Sequence, residues 1–150
     1  MKSELRHVGI VVSDAEVWIN FLQDVLGFEI RVDQLEQGVF ISNLIGVPEA
    51  VVRTVKFNDI SGGVIEILEF KNPNPQSTTG LNPNSLGITH IALTVESAEE
   101  CHRALIRNGC QPISDPAKSD DGKAIVSYVR GPENVLFEFV QELNSSEQNS

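Results

Sequence analysis

The sequence predicts an α+β protein of two tandem βαβββ modules. Four short apolar runs of strand length, Arg6–Val12, Val64–Phe70, Thr89–Val95 and Val135–Val140, are rich in Val, Ile, Leu and Phe. Each carries a His or a Glu that a purely structural strand has no reason to hold, and these come in the order His7, Glu66, His90, Glu138. A strand, a helix and further strands follow His7, and the same plan begins again at His90.

In the first module, Asp14 is placed to cap a helix whose apolar residues Trp18, Phe21, Leu22, Val25 and Leu26 recur at helical spacing, and Gly27 ends it. Phe28 to Val32 alternates as a strand. Two more strands, Val51 to Phe57 and Val64 to Phe70, flank the turn Asn58–Gly63. A breaker-rich stretch then leads to the second module. There Ser97 and Glu100 form a capping box, Ala98, Cys101 and Leu105 mark the buried side of a helix, His102 falls on its polar side, and Gly109 closes it. Strands at Gln111–Ile113, Ala124–Val129 and Val135–Val140 complete the plan. The expected organisation is one domain over 5–142, with modules at 5–71 and 88–142, a linker at 72–87 and a disordered tail at 143–150.

Strand alternation sorts the faces. His7, Gly9 and Val11 share one face of their strand, and Val8, Ile10 and Val12 face the helix; His90, Ala92 and Thr94 likewise oppose Ile91, Leu93 and Val95. Glu69 projects to the face opposite Glu66. Two neutral imidazoles and two carboxylates suit a divalent ion with mixed nitrogen and oxygen coordination, so His7, Glu66, His90 and Glu138 are candidate metal ligands. The first module carries extra length around Gly38 to Val52. Either this forms a lid, lining a substrate pocket with Phe40, Asn43 and Arg53, or it is an ordinary loop; Tyr128 is a further candidate for substrate contact.

Composition narrows the partners. Eleven basic and 21 acidic residues give a net charge of −10, which would repel nucleic acid and anionic membranes. Neither is expected as a partner. An anionic substrate would need local cations, for which Arg31, Arg53, Lys56, Lys123 and Arg130 are the candidates. No apolar run approaches the roughly 20 residues needed to span a bilayer, and the first residues lack a signal-peptide core, so the expected location is cytoplasmic. Cys101 and Cys110 lack paired metal-site spacing and read as free, structural thiols.

The strings His7-Val8-Gly9-Ile10, Asp24-Val25-Leu26-Gly27-Phe28 and Gly131-Pro132-Glu133-Asn134-Val135-Leu136-Phe137-Glu138, with four ligands in register on a doubled module, resemble the vicinal oxygen chelate superfamily. That superfamily includes glyoxalase I, methylmalonyl-CoA epimerase, extradiol dioxygenases and fosfomycin or bleomycin resistance proteins. The resemblance covers roughly residues 5 to 142. It implies a glyoxalase-like fold whose sheets form a curved cleft, and one divalent metal ion per chain (Ni, Co, Zn, Mn or Fe) held by His7, Glu66, His90 and Glu138. It also implies a small-molecule substrate and a homodimer.

Keeping all four ligands favours the isomerase branch. The expected activity is that of a glyoxalase I- or epimerase-like isomerase or lyase, moving a proton next to a carbonyl through a metal-bound enediolate or enolate. Glu138 is the expected base and Glu66 its counterpart. Val11 stands where bacterial-type glyoxalase I usually carries an Arg for glutathione, and Ile41 where the epimerase places a second glutamate, so Glu36 and Glu49 are the nearby carboxylates open to recruitment. The competing expectations are a dioxygenase of the same fold and a non-catalytic binding module of the resistance type.

Overall fold

The computed structural model describes residues 3–76 and 82–144. The chain divides into two compact units, residues 1–78 and 79–150, each with its own sheet. The centre of the expected linker, 77–81, and residues 145–150 of the expected tail lie outside the described residues.

In the first unit β1 (Val8–Val12) leads into α1 (Ala15–Asn20). Asp14 caps that helix, its carboxylate accepting the Glu16 N–H at 2.9 Å. The expected apolar stripe is real: Trp18, Phe21 and Leu22 are buried. After Asn20 the helix widens into a π-helical turn, Phe21–Val25, and it stops at Gly27, whose φ of +74° is left-handed backbone that glycine adopts without strain. Next come β2 (Glu29–Gln37), α2 (Val39–Ile45), β3 (Val51–Asn58) and β4 (Val64–Asn72). The sheet order is β1-β4-β3-β2, with β1 parallel to β4 and the other pairs antiparallel.

Val12, Val55, Phe57, Ile65 and Ile67 lie on the helix-bearing face of this sheet and, with Trp18 and Leu22, form its core. Each such side chain contributes about 1.5–3 kcal/mol by leaving water. The opposite face carries His7, Glu66 and Lys56. Two features depart from expectation. β2 runs on to Gln37, past a bulge between Ile30 and Val32, and the extra length around Gly38 to Val52 contains a helix. None of the residues of α2 is buried, and Val39, Phe40 and Leu44 are widely exposed.

The second unit runs β5 (His90–Thr94), α3 (Ala98–Arg107), β6 (Gln111–Pro112), β7 (Ala117–Lys118), β8 (Ala124–Arg130) and β9 (Leu136–Glu142). Its order is β5-β9-β8-β6, with β7 also pairing to β8 and β5 parallel to β9. Ser97 caps the helix as expected, its Oγ accepting the Glu100 N–H at 3.2 Å, the first half of the capping box. Ala98 and Leu105 are buried with Val129, Phe137 and Phe139.

His102 differs from its expected exposure. Its side chain is only 11% exposed, with Nε2 3.7 Å from Asp115. The second strand of this module is only two residues long, and the Ile113 N–H just past it still donates to the Tyr128 carbonyl at 2.9 Å. Among the described residues, no helix is long and apolar enough to cross a membrane.

Candidate active site

Glu66 is placed by its two neighbouring strands. Gly9 lies opposite it on β1, so His7, two residues earlier, shares its face. His7 Nε2 stands 3.0 Å from Glu66 Oε2. On the other side Lys56 of β3 is directly opposite, its Nζ 3.3 Å from Oε1. Glu66 is 9% exposed, and giving each of its oxygens a partner offsets the cost of burying a carboxylate.

The second unit repeats this layout. Ala92 lies opposite Glu138, and His90 Nε2 stands 3.2 Å from Glu138 Oε2. Thr89 Oγ1, 3.0 Å from Nδ1, fixes the other side of the His90 ring. Tyr128 of β8 occupies the position opposite Glu138 that Lys56 holds opposite Glu66. Its ring meets that of His90 edge-on, with centroids 5.3 Å apart. Burial raises the Tyr128 phenol above its ordinary 10.0, and the Glu138 charge and a hydrogen bond to it add to the effect. The phenol therefore stays protonated, a donor beside a carboxylate.

Each donor pair is a direct imidazole–carboxylate contact, at a separation that two adjacent ligands of a divalent ion can also take. Two ligand atoms each about 2.1 Å from a metal and roughly at right angles are about 3 Å apart, and the two His–Glu separations are 3.0 and 3.2 Å. These pairs are also the limit of the clustering. Among the described residues no group of three or more His, Cys, Asp and Glu side chains is gathered closely enough to hold a metal ion.

The expected substrate contacts sort differently. Arg53 sits opposite Glu69 on β4, which alternation places on the face away from Glu66. Its guanidinium is taken up there, in a two-pronged pair with Asp33 at 2.9 and 2.8 Å and a third bond to Glu16 at 2.6 Å. It belongs to the scaffold beside α1, because two carboxylates on that side hold it. Phe40 and Asn43 lie on α2, both exposed, with Phe40 at 78%.

Glu36 shares the Glu66 face and accepts a hydrogen bond from Thr54 Oγ1. Glu49 instead sits in a turn with φ of +53°. Glu69 is on the far face and pairs with Lys71 at 2.7 Å. Lys56 was legible only as a possible anion contact. The signal for its place was the hairpin itself: with the turn centred on Ser61, Lys56 and Glu66 are equidistant from it.

A family model described as Glyoxalase/Bleomycin resistance protein/Dioxygenase superfamily matches residues 4–139. Among solved structures, a glyoxalase family protein from Bacillus cereus superposes with a TM-score of 0.89 at 22% identity, over 96% of this chain and 97% of that one. A glyoxylase/bleomycin resistance protein/dioxygenase domain from Frankia sp. gives 0.70 at 14% identity, over 99% and 98%. The genomically encoded fosfomycin resistance protein FosX from Listeria monocytogenes gives 0.67 at 21% identity, over 98% and 99%. At these identities the likeness is one of fold. Comparison with curated protein sequences finds no match.

Proposed function

This chain belongs to the Glyoxalase/Bleomycin resistance protein/Dioxygenase superfamily, and from that premise we propose that it is a metal-dependent isomerase or lyase moving a proton next to a carbonyl of a small substrate. In this reading His7, Glu66, His90 and Glu138 furnish the protein ligands of one divalent ion per chain. One observation supports it above the others. The same register, with a small residue opposite a Glu and a His two positions before that residue, occurs on both parallel strand pairs, and in each the imidazole nitrogen and carboxylate oxygen are about one metal bite apart.

A divalent ion bound there supplies Lewis acidity, which eases loss of a proton from the carbon beside a carbonyl. The side chains do the rest. Glu138 takes the proton and returns it, because its neighbours are the His90 ring and the phenol of Tyr128 and, among the described residues, no Lys or Arg pairs with it. Glu66, by contrast, is committed to Lys56. The Tyr128 hydroxyl, kept protonated by burial, donates to substrate oxygen or to Glu138 and orients whichever it meets.

The test is solvent deuterium exchange. Metal-supplemented protein is mixed in deuterium oxide with a panel of hemithioacetals and acyl-CoA thioesters and followed by NMR. Incorporation at the carbon beside the carbonyl, abolished in Glu138→Gln, is the expected result. Oxygen consumption on catechols without any such exchange would overturn it.

A further inference from the structure

The first unit holds a recess of about 270 Å³ bordered by Arg6, His7, Arg31, Lys56 and Asn58, with Val32 and Val64 as its apolar lining. It lies along the Glu66 face, since Val32 is opposite Lys56 on β2 and β3 and Lys56 is opposite Glu66. Three of the chain's eleven Lys and Arg residues border this one recess, in a protein of net charge −10.

The five cations that composition offers for an anionic substrate are thereby separated. Arg53 is consumed by Asp33 and Glu16, Arg130 donates to the Asn134 carbonyl in the second unit, and Lys123 does not border the recess. Arg31 and Lys56 do, and Arg6 joins them. Arg6 has no ion-pair partner among the described residues, and the Arg31–Glu29 contact is long, 3.5 Å, between two solvent-exposed side chains. Such a contact competes weakly with a bound anion. Lys56 pairs with one oxygen of Glu66 at 3.3 Å, and an ammonium carries three N–H donors, so it keeps donors for a second anion with or without metal.

We propose that this recess is an anion-recognition subsite, in which the guanidinium groups of Arg6 and Arg31 and the Lys56 ammonium receive the carboxylate or phosphate group of a small substrate beside His7. The inference deepens the proposed function and rests on it for the role of the neighbouring His7–Glu66 pair. Guanidinium forks match the planar oxygen pairs of carboxylates and phosphates, and the ammonium adds a point charge.

The experiment uses the full chain freed of metal by chelator, so that anion binding is read independently of metal binding. Inorganic phosphate and malonate are titrated separately by isothermal calorimetry at low ionic strength, and the two arms tell the two ligand chemistries apart. Saturable binding of at least one anion is expected, weakened about tenfold or more in Arg31→Gln and in Arg6→Gln, and unchanged in Lys123→Gln, which alters net charge equally. Thermal melts of the variants confirm that these exposed positions leave the fold intact. Absence of saturable binding by the folded protein, or equal weakening in Lys123→Gln, would overturn the subsite. A metal-binding protein without anion binding would remove the subsite alone, and anion binding without metal would keep the subsite and remove the metal reading.

Discussion

His7 reaches Glu66 across the parallel pair β1–β4, with 3.0 Å between Nε2 and Oε2, because Gly9 rather than His7 is the residue directly opposite the glutamate. A side chain at that opposite position would stand between the imidazole and the strand that carries its partner. Nature keeps it small twice, as Gly9 here and Ala92 opposite Glu138.

The space at Gly9 admits one methyl group and little more. A Cβ there would stand 3.4 Å from Leu68 Cδ1 and 3.8 Å from Glu66 Oε2, ordinary contacts. Gly9→Ala should therefore fold with stability unchanged or raised by about 0.5 kcal/mol, through loss of unfolded-state freedom. Gly9→Leu should fold yet lose affinity for divalent metal, since its side chain must occupy the space beside Glu66. Denaturant melts and metal titration of both variants check this.

The β3–β4 turn is held by Asp59, whose Oδ1 accepts from the Ser61 N–H, the Ser61 hydroxyl and the Gly63 N–H, each at 2.8 Å. A Cβ on Gly63 would lie 2.6 Å from Asp59 Oδ2. Gly63→Ala should cost about 1–2 kcal/mol by displacing that carboxylate. In an Asp59→Ala background the same change should cost clearly less, a coupling that a double-mutant cycle measures.

Acid should loosen the first unit through Asp33 and Asp59. The hydrogen bond from Arg53 holds the Asp33 carboxyl below its ordinary 3.8. Burial alone would raise Asp59, but hydrogen bonds from Ser61, Gly63 and Gly62 outweigh it and leave the group lowered. A carboxyl lowered by folding contributes stability that is fully present above its unfolded value and is lost as pH falls through the folded one. Unfolding midpoints should thus fall as pH drops below about 4. Arg53→Met should cost about 1 kcal/mol at neutral pH, discounted for the partial exposure of its partners, and should flatten the acid limb.

Cys101 and Cys110 are free thiols. Burial pushes Cys101 up to about 11, with the nearby Cys110 adding to the effect, and burial also raises Cys110. The reactive thiolate is scarce at pH 8, so iodoacetamide should label both slowly in the native protein and quickly in urea. Fast native labelling of Cys101 would contradict this environment.

How much of this was legible in the sequence depended on which physical signal each feature leaves. Period-two alternation placed His7 with Gly9 and His90 with Ala92 correctly, because a strand with one helix-bearing face fixes its register. The helix α2 was hidden. Val39, Phe40, Ile41, Leu44 and Ile45 show no polar face, and Gly38 at its start offers no capping side chain, leaving Gly46 in left-handed backbone as its one local mark. The roles of Arg53 and His102 depend on acids far away in sequence, Glu16, Asp33 and Asp115, which no local pattern brings together. The Lys56–Glu66 and Tyr128–Glu138 correspondence follows from hairpins centred on Ser61 and Glu133, and a one-residue change in either turn centre would move the partner, so the turn geometry had to be seen to fix it.

The most direct measurement is metal content per chain, by elemental analysis of protein purified without chelator, beside Glu66→Gln and Glu138→Gln. Two His–Glu pairs serving one ion predict about one equivalent of divalent transition metal per chain, lost or sharply weakened in either variant. No metal after supplementation, or metal retained undiminished when either pair is broken, would contradict the account.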